Sequence, residues 1–279
     1  RTMICCAFTG VCTFMPTLLP ESLYQQPAIN SPGHTSIRLS IDNRLRKMDK
    51  TPTIINTVLS ITTALVIIML ACDGTENEQS AREPVLPVTF AVFGNIGYAV
   101  DDGKMLKKLA EAVSTTDADF VVDIGNRLPE GVSSSGINTL WDAVDKDRAL
   151  FSMPMYPVVG KNDIFDFESD VAYSRLYGPL WYTFKRNGVC FIVLDTEDES
   201  YRYGFGGGAR LSSEQTEWLK QRLKESRKSP VVVFMHRPLW KVSPELWDSH
   251  LQPLLMSGGV DLMVTCSENG LFDWGMIDG

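Results

Sequence analysis

From Val88 onward the chain repeats one device: a short run of β-branched and aromatic residues that stops at a glycine or a polar loop. The run Val88–Phe93 ends at Gly94, residues 120–124 end at Gly125, and residues 155–159 end at Gly160. Val231–Met235 runs into His236-Arg237-Pro238, and Leu262–Thr265 runs into Cys266. Such runs read as strands. Between them lie segments with helical spacing: 102–113 (Met105, Leu106, Leu109, Ala110, Val113), 137–150 (Leu140, Trp141, Val144, Ala149), 214–224 and 244–255. Ser212 is placed to cap the third of these. Residues 180–184 and 189–194 pair through Lys185-Arg186-Asn187-Gly188, since Asn-Gly supplies the positive φ that a tight hairpin needs. Alternating strands and helices predict an α/β domain over 85–279, with loops converging at the carboxyl ends of its strands.

The chain before that domain has a different character. Residues 48–72 begin Met48-Asp-Lys-Thr-Pro, continue as an apolar run over 54–71 and end in Leu70-Ala71-Cys72. A short basic start, an apolar centre and small residues before a cut predict a secretory signal. Its end resembles the lipobox of bacterial lipoproteins, which implies acylation of Cys72 and a domain exported and lipid-anchored to a bacterial membrane. An uncleaved anchor is the other reading, because the run approaches the ~17–25 residues that span a bilayer. Residues 1–47 show no clear period and are expected to be an upstream leader. Residues 73–84 are polar and are expected to be a flexible tether.

Net charge is −8, and the part after Cys72 carries 20 basic and 31 acidic residues. An acidic domain without a basic stripe is a poor partner for nucleic acid. Of the six cysteines only Cys190 and Cys266 lie beyond Cys72. They read as two buried thiols, with a disulfide as the alternative. The glycine run 204–208 lacks the Lys-Ser/Thr of a phosphate-binding P-loop, and no G-x-S-x-G elbow is present.

Five strand-end loops carry the candidate chemistry: Gly94-Asn95-Ile96-Gly97, Gly125-Asn126, Gly160-Lys161-Asn162-Asp163, His236-Arg237-Pro238 and Cys266-Ser267-Glu268-Asn269-Gly270. In order and spacing they resemble the calcineurin-like metallophosphoesterases, in particular the purple-acid-phosphatase-like branch, whose pattern is D-x-H, G-D, G-N-H-D/E, a lone H and G-H-x-H. The stretches Tyr182-Thr-Phe, Phe191-Ile-Val-Leu-Asp-Thr-Glu197, 211–219 and 231–239 continue the likeness, which covers 85–271. It implies a sandwich of two mixed β-sheets flanked by helices, an αββα fold, here expected to be truncated at its C-terminus. It also implies two divalent ions (Fe, Mn or Zn) that activate a water and clamp a phosphoryl group.

This sequence departs from that pattern at nearly every ligand. Asn95 and Gly97 stand in the first motif, Asn126 replaces the bridging Asp, and Lys161 and Asn162 replace the ligand Asn and the catalytic His. Ser267 and Asn269 replace the last two His, and only His236 survives. Amide oxygens are neutral, glycine offers no ligand, and an ammonium repels a cation. The expectation is a pseudo-phosphatase without a metal cofactor that binds an anion such as a phosphate ester, or a protein partner. Lys161 and Arg237 are its anion-binding candidates. The alternative is an active hydrolase with one metal rebuilt on His236, Asp163 and Glu268, with His236 and Asp163 as catalytic candidates. His236 reads first as a packed strand-end residue, with a relic ligand or a general acid as the alternatives. A decaying gene is the third reading, and the clean patterning of strands and helices argues against it. Asp123 and Asp195 are expected to bond loop backbone.

Overall fold

The computed structural model describes residues 2–5, 10–15, 35–40, 85–97, 103–197, 209–266 and 273–276. Cys72, the apolar run 54–71, the tether 73–84, the glycine run 204–208, and Ser267, Glu268 and Asn269 lie outside the described residues. No helix among the described residues is long and apolar enough to cross a membrane.

The strands are β1 (Thr2–Cys5), β2 (Gly10–Met15), β3 (Thr35–Ser40), β4 (Val88–Phe93), β5 (Phe120–Asp123), β6 (Met155–Pro157), β7 (Tyr182–Arg186), β8 (Val189–Leu194), β9 (Val231–Met235), β10 (Leu262–Thr265) and β11 (Asp273–Met276). The helices are α1 (Lys104–Ser114), α2 (Ile137–Arg148), α3 (Phe167–Tyr177), α4 (Ser213–Glu225), α5 (Leu239–Val242), α6 (Pro244–Leu246) and α7 (Gln252–Gly258). The strands form two sheets, in the orders β11-β1-β10-β9-β8-β7 and β3-β2-β4-β5-β6. Both are mixed: β4, β5 and β6 run parallel, as do β8, β9, β10 and β1, while β2–β4, β7–β8 and β1–β11 are antiparallel. The expected two-sheet mixed sandwich with flanking helices is the architecture observed.

The period of two along each strand builds it. Val88, Phe90 and Val92 of β4 join Val189, Phe191 and Val193 of β8 in a core shared by both sheets. The alternate residues Ala91 and Phe93 pack against Leu106, Leu109, Ala110 and Val113 of α1. Cys190, Ile192 and Leu194 turn instead to Leu219 and Leu223 of α4. Phe90 anchors the shared core, stacked on Phe120 at 5.2 Å and edge-on to Phe234 at 5.4 Å. Full burial of such a ring contributes roughly 1.5–3 kcal/mol.

Several elements differ from the sequence expectation. The sequence pattern does not signal α3, because its apolar residues are not on one face: Phe167 and Val171 are exposed while Ser169 is buried. Its start is fixed by a capping box between Asp166 and Ser169. The helix expected over 244–255 is broken by a π-helical turn at Trp247–Leu251. Pro253, near the start of α7, lacks the N–H that would continue the α-helical ladder. Strands β1–β3 arise where the sequence shows no period: β1 pairs with the distant β10 and β11, β2 with the distant β4, and β3 with β2.

Candidate functional site

The carboxyl ends of β4, β5, β6, β9 and β10 bring together the loops singled out by the sequence, as far as they are described. Two glycines permit their close approach. A Cβ on Gly160 would lie 2.2 Å from Asn126 N and 2.7 Å from Asn126 Oδ1. One on Gly125, whose φ is +95°, would lie 2.7 Å from Gly160 Cα and 2.9 Å from His236 Nδ1.

Asn95 and Asn126 follow these turns with φ of 55° and 58°, a left-handed conformation that asparagine tolerates better than most residues. Their side chains meet. Asn126 Nδ2 donates to Asn95 Oδ1 at 2.9 Å, and Asn95 Nδ2 donates to Cys266 Sγ at 2.9 Å. Asn126 Oδ1 accepts from Asn162 N at 2.9 Å. One chain of amides therefore links the ends of β4, β5, β6 and β10, crossing from one sheet to the other. Gly97 N donates to Asn126 O at 3.3 Å and closes the first loop onto the second.

Asp163 lies beneath that chain, fully buried. It accepts from Asn126 N (2.8 Å) and Gly160 N (2.9 Å) through Oδ2, and from Leu128 N (3.1 Å) through Oδ1. Burial pushes its carboxyl up to about 7, with the neighbouring Asp123 adding to the rise and the three N–H donors opposing it. Asp123 is also buried, and burial pushes it up to about 6 against the pull of Arg127 and the Gly125 N–H. Asp123 Oδ2 lies 2.8 Å from Arg127 Nε, and Arg127 reaches Tyr177 Oη at 2.8 Å. Close approach without a well-aligned hydrogen bond makes this a Coulombic pair more than a directional one.

His236 sits at the end of β9, buried, with Nδ1 2.7 Å from the Ile124 carbonyl oxygen. That contact reaches the end of β5 in the other sheet, while its own carbonyl accepts from Cys266 N at 2.9 Å at the end of the neighbouring β10. Arg237 forms a two-pronged pair with the buried Glu197, Nε to Oε1 at 2.6 Å and one terminal nitrogen to Oε2 at 2.8 Å. Lys161 faces outward, half-exposed, 3.7 Å from the exposed Glu130. Asp123 and Asp195 do bond loop backbone, at Gly125 N and Glu197 N. Cys190 and Cys266 are buried thiols, not a disulfide. They project to opposite faces of their sheet.

Sequence reasoning placed Asn95, Gly97, Asn126, Lys161, Asn162 and His236 at one end of the molecule, and the structure brings their loops together there. It missed the Asp123–Arg127 and Glu197–Arg237 pairs. The second spans 40 residues in sequence, and no local pattern marks it. Among the described residues no group of three His, Cys, Asp or Glu side chains is placed to hold a metal ion.

Comparison with known proteins adds a relation in sequence. The chain is 25% identical over 183 residues to tartrate-resistant acid phosphatase type 5 of Oryctolagus cuniculus, covering 55% of this chain and 56% of that protein. The relation supports a metallophosphoesterase-like superfamily. The chain thus spans a little over half the length of that relative. No protein-family model matches. A dimetal phosphatase from Danio rerio aligns at a TM-score of 0.48 with 16% identity, over 62% of this chain and 78% of that one. A second solved structure, TT1561 of Thermus thermophilus, aligns at 0.42 with 15% identity, over 63% and 80%.

Proposed function

We propose that this chain is a phosphoesterase-like domain that has given up the dimetal centre and works by binding rather than by hydrolysis. The observation that carries the reading is the amide chain. Asn95 and Asn126 stand where the family resemblance places a metal ligand and the bridging carboxylate, and their side chains bond to each other, to Asn162 N and to Cys266 Sγ. A bridging site needs anionic oxygens shared between two ions. Neutral amides engaged with one another do not fit that group. Asp163, the carboxylate that accepts from Asn126 N, is directed at three backbone N–H groups, and a metal on it would have to compete with all of them.

Of the two anion-binding candidates, the geometry favours Lys161. Its contact with Glu130 is long and exposed, and such a surface pair is worth little and exchanges readily. Arg237 already directs two donors at Glu197. An oxyanion, free or as a phosphate ester, would meet the exposed ammonium of Lys161. Export and lipid anchoring through Cys72 remain our reading of the sequence around 54–72.

The test is a paired assay on the full chain. Hydrolysis of simple phosphate monoesters is measured with Mn, Fe and Zn supplied in turn, and inorganic phosphate binding is measured by calorimetry. The proposal expects no turnover above background and phosphate binding that weakens in Lys161→Ala. Metal-dependent turnover would overturn the inactive reading. Phosphate binding unchanged in Lys161→Ala, or no binding at all, would overturn the assignment of Lys161.

A further inference from the structure

We infer that Asn126 is a positioning residue whose side-chain amide holds the strand-end loops together, in place of a shared ion, and so keeps Asn95, Asn162 and Cys266 in register. The inference rests on the hydrogen bonds themselves and is independent of whether the chain hydrolyses anything.

Joining several loops at one point needs a centre with more than one bond to give. A bridging ion does this by accepting ligands from each loop. A carboxamide can do it differently, because it carries an acceptor oxygen and two N–H donors on one planar group. Asn126 uses both ends. Oδ1 takes the Asn162 N–H on the β6 side, and Nδ2 gives to Asn95 Oδ1 on the β4 side. Its backbone N–H completes the set by donating to Asp163 Oδ2. Asn126 has a positive φ, and its side chain reaches both neighbouring loops. Asn95 then passes the link to Cys266 Sγ, at the end of β10 in the other sheet. An aspartate at 126 would keep the acceptor but lose the donor, and would set two acceptor oxygens against each other unless the Asn95 amide turned over.

Cys266 reports on this link from its far end. It is a buried thiol, and the Asn95 amide bonds its sulfur. Cys190 is an internal reference. It is an equally buried thiol, but lies on the other face of the sheet and bonds Ser226.

The experiment uses the full chain and three forms: native sequence, Asn126→Gly and Asn126→Asp. Glycine accepts the left-handed backbone without strain and removes the side chain with its amide. Maleimide modification of each cysteine is followed by peptide-resolved mass spectrometry, with and without chelator. The inference predicts that Asn126→Gly raises the modification rate of Cys266 about tenfold while Cys190 is unchanged, as expected for local opening after loss of a bonded link. Asn126→Asp, which retains the acceptor, should fall between the two. Chelator should leave the native rate unchanged. Equal rates in all forms would overturn the inference. So would a parallel rise at Cys190, which would signal global loss of stability, or a chelator-induced rise in the native chain. Should Asn126→Gly fail to fold, hydrogen exchange of the native chain decides: the Asn162 amide, bonded to the Asn126 side chain, must be protected, and rapid exchange there contradicts the proposal.

Discussion

Replacement of Gly160 by alanine tests how tightly the second and third strand-end loops are packed. The added Cβ would lie 2.2 Å from Asn126 N, 2.7 Å from Asn126 Oδ1 and 2.9 Å from the Gly125 carbonyl carbon. Two of these neighbours are backbone atoms, so no rotamer change relieves the clash. Ordinary contact begins near 3.4 Å, and reaching it from 2.2 Å requires the loops to part by roughly 1.2 Å. A movement of that size along the contact stretches the bonds from Asn162 N to Asn126 Oδ1 (2.9 Å) and from Asn126 N to Asp163 Oδ2 (2.8 Å) beyond hydrogen-bonding range. Losing one neutral and one charge-assisted bond costs about 2–4 kcal/mol, and residual overpacking adds about 1 kcal/mol or more. The expected loss of about 3–5 kcal/mol is a large share of the ~5–15 kcal/mol that stabilises a domain. Urea unfolding of the full chain, followed by tryptophan fluorescence, measures it. Gly131→Ala is the matched control. Its φ of +83° makes alanine strained, but a Cβ there meets nothing within 4 Å, so only the backbone penalty of about 1–2 kcal/mol applies. A loss in Gly160→Ala below about 1 kcal/mol, or no greater than in Gly131→Ala, would refute the packing argument.

Two further outcomes follow from the buried charges. Asp123 and Asp163 have carboxyls raised to about 6 and about 7 from an ordinary 3.8, so between those values the folded chain holds protons that the unfolded chain has released. Stability should therefore fall as pH rises from about 4 to about 7 and flatten above that, and Asp163→Asn should reduce the slope; a urea midpoint that rises through the same window contradicts the assignment. Arg237→Ala leaves Glu197, only 2% exposed, as a buried carboxylate without its two-pronged partner. The expected destabilisation is about 3–5 kcal/mol, and Glu197→Gln combined with it should recover part of that loss in a double-mutant cycle; additivity of the two changes would show that the pair contributes no coupling.

The parts of the fold legible in the sequence are those set by local pattern. β4, β8, β9 and β10 are runs of apolar and β-branched residues, and the structure places them where the runs lie. Asn187 and Gly188 both take positive φ in the β7–β8 turn, as that dipeptide requires. Ser212 accepts from Gln215 N and starts α4. What stayed hidden is non-local or aperiodic. α3 buries a serine and exposes a phenylalanine, so its pattern points the wrong way. The order of strands within each sheet depends on pairings between residues far apart, such as β1 with β10. At the site, the loops were recognisable by their order and spacing, but the bonds among Asn95, Asn126, Asn162 and Cys266 span up to 171 residues, and spacing does not encode them. Asp163 was a candidate for catalysis or metal binding. Its three backbone donors come from two separate loops, and only their convergence makes it a hub.

The most direct test of the central claim is the metal content of the full chain, purified without chelator, offered Mn, Fe and Zn, then passed through a desalting column and analysed by elemental mass spectrometry. An amide-linked site predicts far less than one ion of any kind per chain, and an unfolding midpoint that chelator does not shift. One or two tightly held ions per chain would contradict the claim, because Asn95 and Asn126 would then have to exchange their mutual hydrogen bonds for metal coordination.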